Sequence, residues 1–448
     1  NLTLGLVHPE NGKKKWKSPD LLSLTRPVKK SKVPFKKKPE VSYVKLKNGL
    51  RLIFRENPNV PTISLRTAHL GGIRAENKKN NGIHTLLSHL WGKSTTNLTA
   101  AEMAREMELI AGSVDSFTGR NLTGMKADFL SEKTREGAKL FLDALLHPRW
   151  DPREIEREKS NHLEALRREQ DAMASLAFKL FLQKLFPRHP YGLSLLGEAK
   201  NVRGFKAKDL ENQFRRLLNP KHMVIAAVGD FDTQAMMDLL IPSLEGLKGK
   251  KDGLGPFKTD PLPKKNIRVE KKLDKLQAHI VYGFRGVRFK DPDRYALDVL
   301  NNILAGQGGR LFLELRDKMS LAYSVTSLSQ EGIEPGYFGV YIGTEGSKVN
   351  TAIAGIEREL KKVLAQKVHQ SEMDRAQQYM VGAYDIELQR NSYVATQLAF
   401  NEFYGQSRSE WLDLPKKIMK VTRNQVFQVA HKILKMDHHV LSVVRPKG

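Results

Sequence analysis

Apolar residues along the chain fall either in alternation or in stripes spaced three and four apart, which mark strands and amphipathic helices respectively. Residues 41–54 read as a strand pair turning at Lys47-Asn48-Gly49, because an Asn-Gly step supplies the positive φ that a tight hairpin needs. Residues 62–70 alternate as a strand and 82–92 carry helical spacing. A second helix begins after Leu98, with Thr99 and Glu102 as a capping box, Met103, Met107 and Ile110 as its apolar stripe, and Gly112 as its stop. Strands at 113–118 and 124–130 precede a helix at 132–146, two more helices at about 154–168 and 175–186, and a short apolar strand at 222–228.

The same order recurs in the second half of the chain. Residues 278–284 repeat the first long strand, 294–304 the helix after it, 322–329 and 337–343 the strand pair, 348–364 the following helix and 439–444 the closing strand. Ser113-Val114 and Ser324-Val325 lie 211 positions apart, and His222 and His439 lie 217 apart. A duplicated α+β chain follows: two homologous domains, each an antiparallel sheet with helices packed on it. The expected parts are an N-terminal arm at 1–40, a first domain at 41–248, a Gly-, Pro- and Lys-rich linker at 249–265 and a second domain at 266–448.

Composition narrows the partners. With 448 residues, 40% of them hydrophobic and 28% charged, the chain is long enough for two sizeable cores. No apolar run approaches the roughly 18 residues that span a bilayer. The start at Asn1 carries no charged, apolar and small signal pattern, so any targeting peptide is expected to be removed or to lie outside this sequence. The absence of cysteine rules out disulfides, thiolate metal sites and a cysteine nucleophile. Cysteine-free composition and the trimmed start favour the bacterial periplasm as the expected location, with the mitochondrial matrix as the alternative. Residues 1–50 hold 13 Lys and Arg against 3 Asp and Glu, so ten of the 26 excess positive charges sit in the first ninth of the chain, around Pro19, Pro27, Pro34 and Pro39. No basic-aromatic module accompanies that charge, so an acidic partner or an anionic surface is expected rather than nucleic acid.

The segment Asn81-Gly82-Ile83-His84-Thr85-Leu86-Leu87-Ser88-His89-Leu90, followed by Gly92-Lys93-Ser94-Thr95, resembles the zinc helix of the pitrilysin and insulinase metallopeptidases. That family carries H-x-x-E-H on one helix, two histidines binding zinc and a glutamate activating water, with a third ligand, a glutamate, about 75 residues on. Here Thr85 stands at the first histidine, Ser88 at the glutamate, His89 at the second histidine, and Ala165 at the third ligand. The resemblance therefore implies a dismantled metal site and no cofactor in this chain. His84 and His89 are five apart, about 140° around a helix, and cannot replace the lost pair. A rearranged site of His89, Glu158 and His162 is the remaining metal alternative, since Glu158 and His162 share a helical face with Ala165.

Other segments extend the resemblance over most of residues 41–448. Gly71-Gly72-Ile73-Arg74-Ala75-Glu76 is similar to the family's glycine turn, and His189-Pro190-Tyr191-Gly192 and Gly229-Asp230 also fit. Gly112-Ser113-Val114-Asp115-Ser116-Phe117-Thr118 resembles its substrate-side edge strand, which implies Ser113, Asp115 and Ser116 as substrate contacts. Gly306-Gln307-Gly308-Gly309-Arg310 resembles its glycine-rich loop, implying substrate approach at Gly306, Gly308 and Gly309. Arg316 and Tyr323 resemble its arginine/tyrosine pair, whose guanidinium and phenol donate to the scissile carbonyl as charge builds on oxygen. Some members with one such half-shell per chain pair a zinc-bearing subunit with one that keeps only the arginine/tyrosine pair. The resemblance implies that this chain is the second kind: inactive alone, binding peptide and partnered by a zinc-bearing subunit. A non-catalytic structural or assembly subunit is the competing expectation.

Overall fold

The computed structural model describes residues 40–249 and 257–447, the side chain of Tyr323 excepted; the basic arm falls outside the described residues except for Glu40. Val41–Gly448 forms one unit. Its first half runs β1 (Ser42–Lys45), β2 (Arg51–Glu56), β3 (Thr62–Leu70), α1 (Ile83–Leu90), α2 (Ala100–Leu109), β4 (Ser113–Thr118), β5 (Leu122–Leu130), α3 (Thr134–Leu146), α4 (Pro152–Asp171), α5 (Met173–Leu185), α6 (Ala199–Gly204), α7 (Ala207–Leu217), β6 (Met223–Gly229) and α8 (Thr233–Glu245). The second half runs β7 (Ile267–Leu273), β8 (Gln277–Arg285), α9 (Arg294–Leu304), a π-helical segment (Phe312–Lys318), β9 (Ala322–Gln330), β10 (Tyr337–Glu345), α10 (Val349–Ala365), α11 (Gln370–Glu387), α12 (Asn391–Phe403), α13 (Glu410–Met419), α14 (Arg423–Ile433) and β11 (Val440–Pro446).

The duplication is visible in the sheets. The first has the order β1-β2-β6-β3-β5-β4 and the second β7-β11-β8-β10-β9, so that, β1 apart, they match strand for strand. Each sheet is antiparallel but for one pair, β2 with β6 and β7 with β11. The cause is the slot between the first two long strands of each half. β2 and β3 do not pair with each other; β6 enters between them antiparallel to β3 and is therefore parallel to β2. β11 does the same between β7 and β8. The local features expected of the sequence form as they should: the Asn48 Oδ1 accepts from the Leu50 N–H at 3.1 Å in the first turn, and Thr99 and Glu102 make a reciprocal capping box.

One face of each sheet packs on helices of its own half, Phe54, Leu65, Leu86, Trp91 and Phe141 in the first core and Tyr282, Leu300, Phe338, Ile356 and Val443 in the second. The other face is covered by a helix from the opposite half. Val394, Ala395, Leu398 and Ala399 of α12 lie with Ile53, Val224, Ala226 and Val228 of the first sheet, and Ala177, Phe181 and Leu182 of α5 with Val281, Val440 and Val444 of the second. Central strands apolar on both faces require this arrangement. No helix among the described residues is long and apolar enough to cross a membrane.

A buried polar joint ties the halves together. Arg74, from the glycine turn after β3, forks onto Glu334 with Nη2 2.8 Å from Oε1 and Nε 3.0 Å from Oε2. The Tyr191 hydroxyl sits 3.3 Å from the same carboxylate and also donates to Asn121 Oδ1. The Phe257 N–H donates to Glu334 Oε1 at 3.3 Å, and Asp260 accepts from the backbone N–H groups of Arg188 and His189. Burial raises the Glu334 pKa, but the approach of His189, with Nε2 3.6 Å from Oε2, and the hydrogen bonds and charge of Arg74 outweigh it and hold the carboxyl at about 2. A folded-state pKa below the unfolded value stabilises above about 4.5 and is lost as pH falls toward 2. Glu334→Gln, which leaves Arg74 buried without its counter-charge, is expected to cost about 3–5 kcal/mol at pH 7. The variant should also lose less stability than the parent between pH 4.5 and 2, read by chemical denaturation across that window.

Candidate functional site

α1 begins at Gly82, whose φ of 104° suits glycine, and its first N–H groups meet a buried carboxylate. Glu76 accepts from Gly82 N at 2.8 Å, His84 N at 2.9 Å and Asn81 Nδ2 at 2.7 Å. Burial lifts its carboxyl to about 7 against the pull of those donors. The glycine turn thus sets where the helix starts, and with it the direction of every side chain on α1.

The two histidines of α1 point apart, as their spacing requires. His84 turns inward, with Nδ1 3.2 Å from the Gly72 N–H and 2.9 Å from Thr123 Oγ1 and Nε2 2.6 Å from Gln213. Burial depresses its pKa to about 3, so the ring is a neutral brace between the glycine turn, β5 and α7. His89 faces a cleft of about 770 Å3 lined also by Ser88, Ser113, Asp115, Ser116 and Ala165. The fold therefore gathers the His89 face of α1, the edge strand β4 and Ala165 of α4 into one place. Thr85 is engaged behind them, its hydroxyl donating to the Leu195 carbonyl at 2.6 Å. The Ser88 hydroxyl donates to Thr85 O at 2.8 Å, and Ser116 donates to Ser88 O.

These residues do not fit zinc. Two hydroxyls already committed to carbonyls, one methyl and one imidazole replace a donor set that must be deprotonated and convergent. The rearranged set fares no better. Glu158 is held by Lys93 Nζ at 2.5 Å, His162 Nε2 lies 2.7 Å from the Leu196 carbonyl, and the rings of His89 and His162 meet edge to face at 5.6 Å. Among the described residues no group of three or more His, Asp or Glu side chains could hold a metal ion. Burial lowers the His89 pKa, Glu158 opposes that shift and Lys93 adds to it. Lys93, Arg157 and Arg168 also line the cleft, with Trp91, Met103 and Met107 as its apolar wall. Sequence reasoning missed these cations. The only available clue was the three- and four-residue spacing of Arg157, Asn161, Ala165 and Arg168 on α4.

Among the described residues none that lines this cleft comes from beyond Arg168, so the described second-half side chains lie elsewhere. Gly306 has a φ of 76°, and a Cβ on Gly309 would lie 2.0 Å from the Ala305 carbonyl oxygen, so the loop's glycines close the end of α9. Gly308 packs beside the Arg375 guanidinium of α11. Arg316 lies in the π-helical segment with its guanidinium 4.4 Å from the Phe312 ring centre. Tyr323 is the extra residue of a β-bulge, since Ala322 and Ser324 pair with the adjacent Thr344 and Gly343; its side chain lies outside what the structure describes. Between them Ser320 adopts a φ of 48°. A π-helical turn, a left-handed residue and a bulge within one short stretch are the kind of irregularity that re-aims side chains.

Residues 51–199 match the family described as insulinase (peptidase family M16), and residues 204–380 match the peptidase M16 inactive domain. The chain belongs to the M16 peptidase family. Relatives include the uncharacterized zinc protease YmxG of Bacillus subtilis, 25% identical over 90% of this chain and 97% of its own length. An uncharacterized zinc protease of Rickettsia bellii is 26% identical over 87% of this chain and 94% of its own. Two solved structures share the fold with a TM-score of 0.83 at 21% identity and 91% coverage of this chain: a protease from Helicobacter pylori, matched over its whole length, and a peptidase M16 inactive domain from Pseudomonas fluorescens, matched over 98%.

If α1 and α4 keep the family's spacing while lacking its donors, restoring the donors restores the ion. Thr85→His, Ser88→Glu and Ala165→Glu together are expected to bind one zinc per chain by elemental analysis, and the parent chain none. A triple variant that folds and stays metal-free would show that the helix pair has drifted from the binding geometry.

Proposed function

We propose that this chain is the non-zinc subunit of a heterodimeric M16 peptidase, contributing substrate contacts and transition-state hydrogen bonds to a site completed by a zinc-bearing partner. The observation that carries this is the split between the halves. The cleft keeps its edge strand and volume while Thr85, Ser88 and Ala165 stand at the metal and base positions. Arg316 and Tyr323 are present and sit on irregular backbone of the second half. The partner would bring zinc, whose chemistry is to activate water and polarise the carbonyl. This chain would bring donors to the oxygen of the scissile carbonyl, and β4, the last strand of its sheet, would take an extended peptide through backbone hydrogen bonds.

The position of the Arg316 guanidinium over Phe312 favours a second reading, in which that arginine packs rather than catalyses and the chain is a structural or assembly subunit. One experiment separates the two. The purified chain, mixed with a zinc-bearing family member, is expected to raise peptide cleavage above the partner's own rate, and Arg316→Ala to lower kcat by about 10²–10³-fold with the complex intact. Cleavage unaffected by this chain, or by Arg316→Ala, would leave only the structural role.

A further inference from the structure

The cleft has an unmatched positive charge beside the lost ligand position. α4 presents Arg157, Glu158, Asn161, Ala165 and Arg168 to it. Glu158 is buried, and its Oε1 is met by Lys93 at 2.5 Å, Asn161 at 3.4 Å and Arg157 at 3.6 Å. Arg157 also pairs with Glu154, and Asp115, the other acid on the wall, pairs with Lys126 at 3.5 Å. Arg168, three residues from Ala165, has an exposed side chain and no ion-pair or hydrogen-bond partner among the described residues. Lys93 is 37% exposed, and one of the three donors of its ammonium is engaged by Glu158.

We propose that this cleft is a carboxylate-binding site, in which Arg168 and Lys93 receive an acidic group of a peptide lying along β4. The claim rests on the peptide-binding reading above and adds the chemistry of the peptide. A guanidinium matches a carboxylate with two parallel N–H···O bonds, and the exposed edge of the cleft lets an ion arrive with part of its hydration. Trp91, Met103 and Met107, buried in the first core, also line the cleft. The carboxylate is either the C-terminus of a cleaved or short peptide or an Asp or Glu side chain within a longer one.

The test uses the full chain and four labelled peptides of one apolar-rich sequence, read by fluorescence anisotropy. One has a free C-terminus, one an amidated C-terminus, and two more are amidated with a central Glu or Gln. The acid-bearing peptides are expected to bind about tenfold more tightly than their neutral counterparts. That advantage should shrink as salt rises from about 50 to about 500 mM. Arg168→Gln should reduce the acidic peptides to the level of the neutral ones, and Arg168→Lys should restore part of the difference. Preference for the free C-terminus alone, or for Glu alone, assigns the source of the carboxylate. Equal binding of all four peptides overturns the carboxylate site and leaves the peptide-binding reading standing. Absence of binding by any of them overturns both.

Discussion

Each sheet of this protein has central strands apolar on both faces, and each half supplies helices for only one of them. β6 is buried along its whole length, and β3 and β8 nearly so. The exchange of α5 and α12 between the halves is the solution, and the site depends on it. A single residue, Ala172, separates α4 from α5. α4 is therefore fixed on one side by α1 and through α5 by the second sheet. The wall that carries Ala165 and Arg168 is held in place by a contact made in the other half of the molecule.

The same logic explains motifs that lie away from the cleft. The glycine turn and the His189-Pro190-Tyr191-Gly192 segment meet at Glu334, a second-half acid that organises Arg74, Tyr191 and the linker residue Phe257. A single residue, Ala75, separates Arg74 from Glu76, the carboxylate that caps α1. The joint between halves and the start of the metal-helix remnant are thus consecutive turns of one short segment, so the orientation of His89 follows from packing that is not itself part of the cleft.

A cleft whose side chains do not fit zinc still carries charge. The cleft holds a buried Glu158 answered by Lys93, and an arginine left over. A positive centre persists with a different coordination preference, for carboxylate rather than for the oxygen of a polarised water. In the second half the backbone departs from regular geometry three ways between Arg316 and Tyr323.

Much of this was legible in the residues alone. The alternation of residues 62–70 and the capping box at Thr99 form strand and helix because those preferences are local. No arrangement of backbone turns Thr85, Ser88 and Ala165 into a zinc site, because two neutral hydroxyls and a methyl supply neither imidazole nor carboxylate. α12 went unread because its apolar positions are small and spread around the helix and make sense only against a partner surface: Ala395 and Ala399 are flat enough to lie on a sheet formed more than a hundred residues earlier. The parallel pairs, the exchange of helices and the free charge of Arg168 were decided by tertiary structure, since each depends on which remote groups fill a slot, cover a face or neutralise a neighbour. Local sequence determined the elements and the missing chemistry; long-range packing determined which side chains share a cleft.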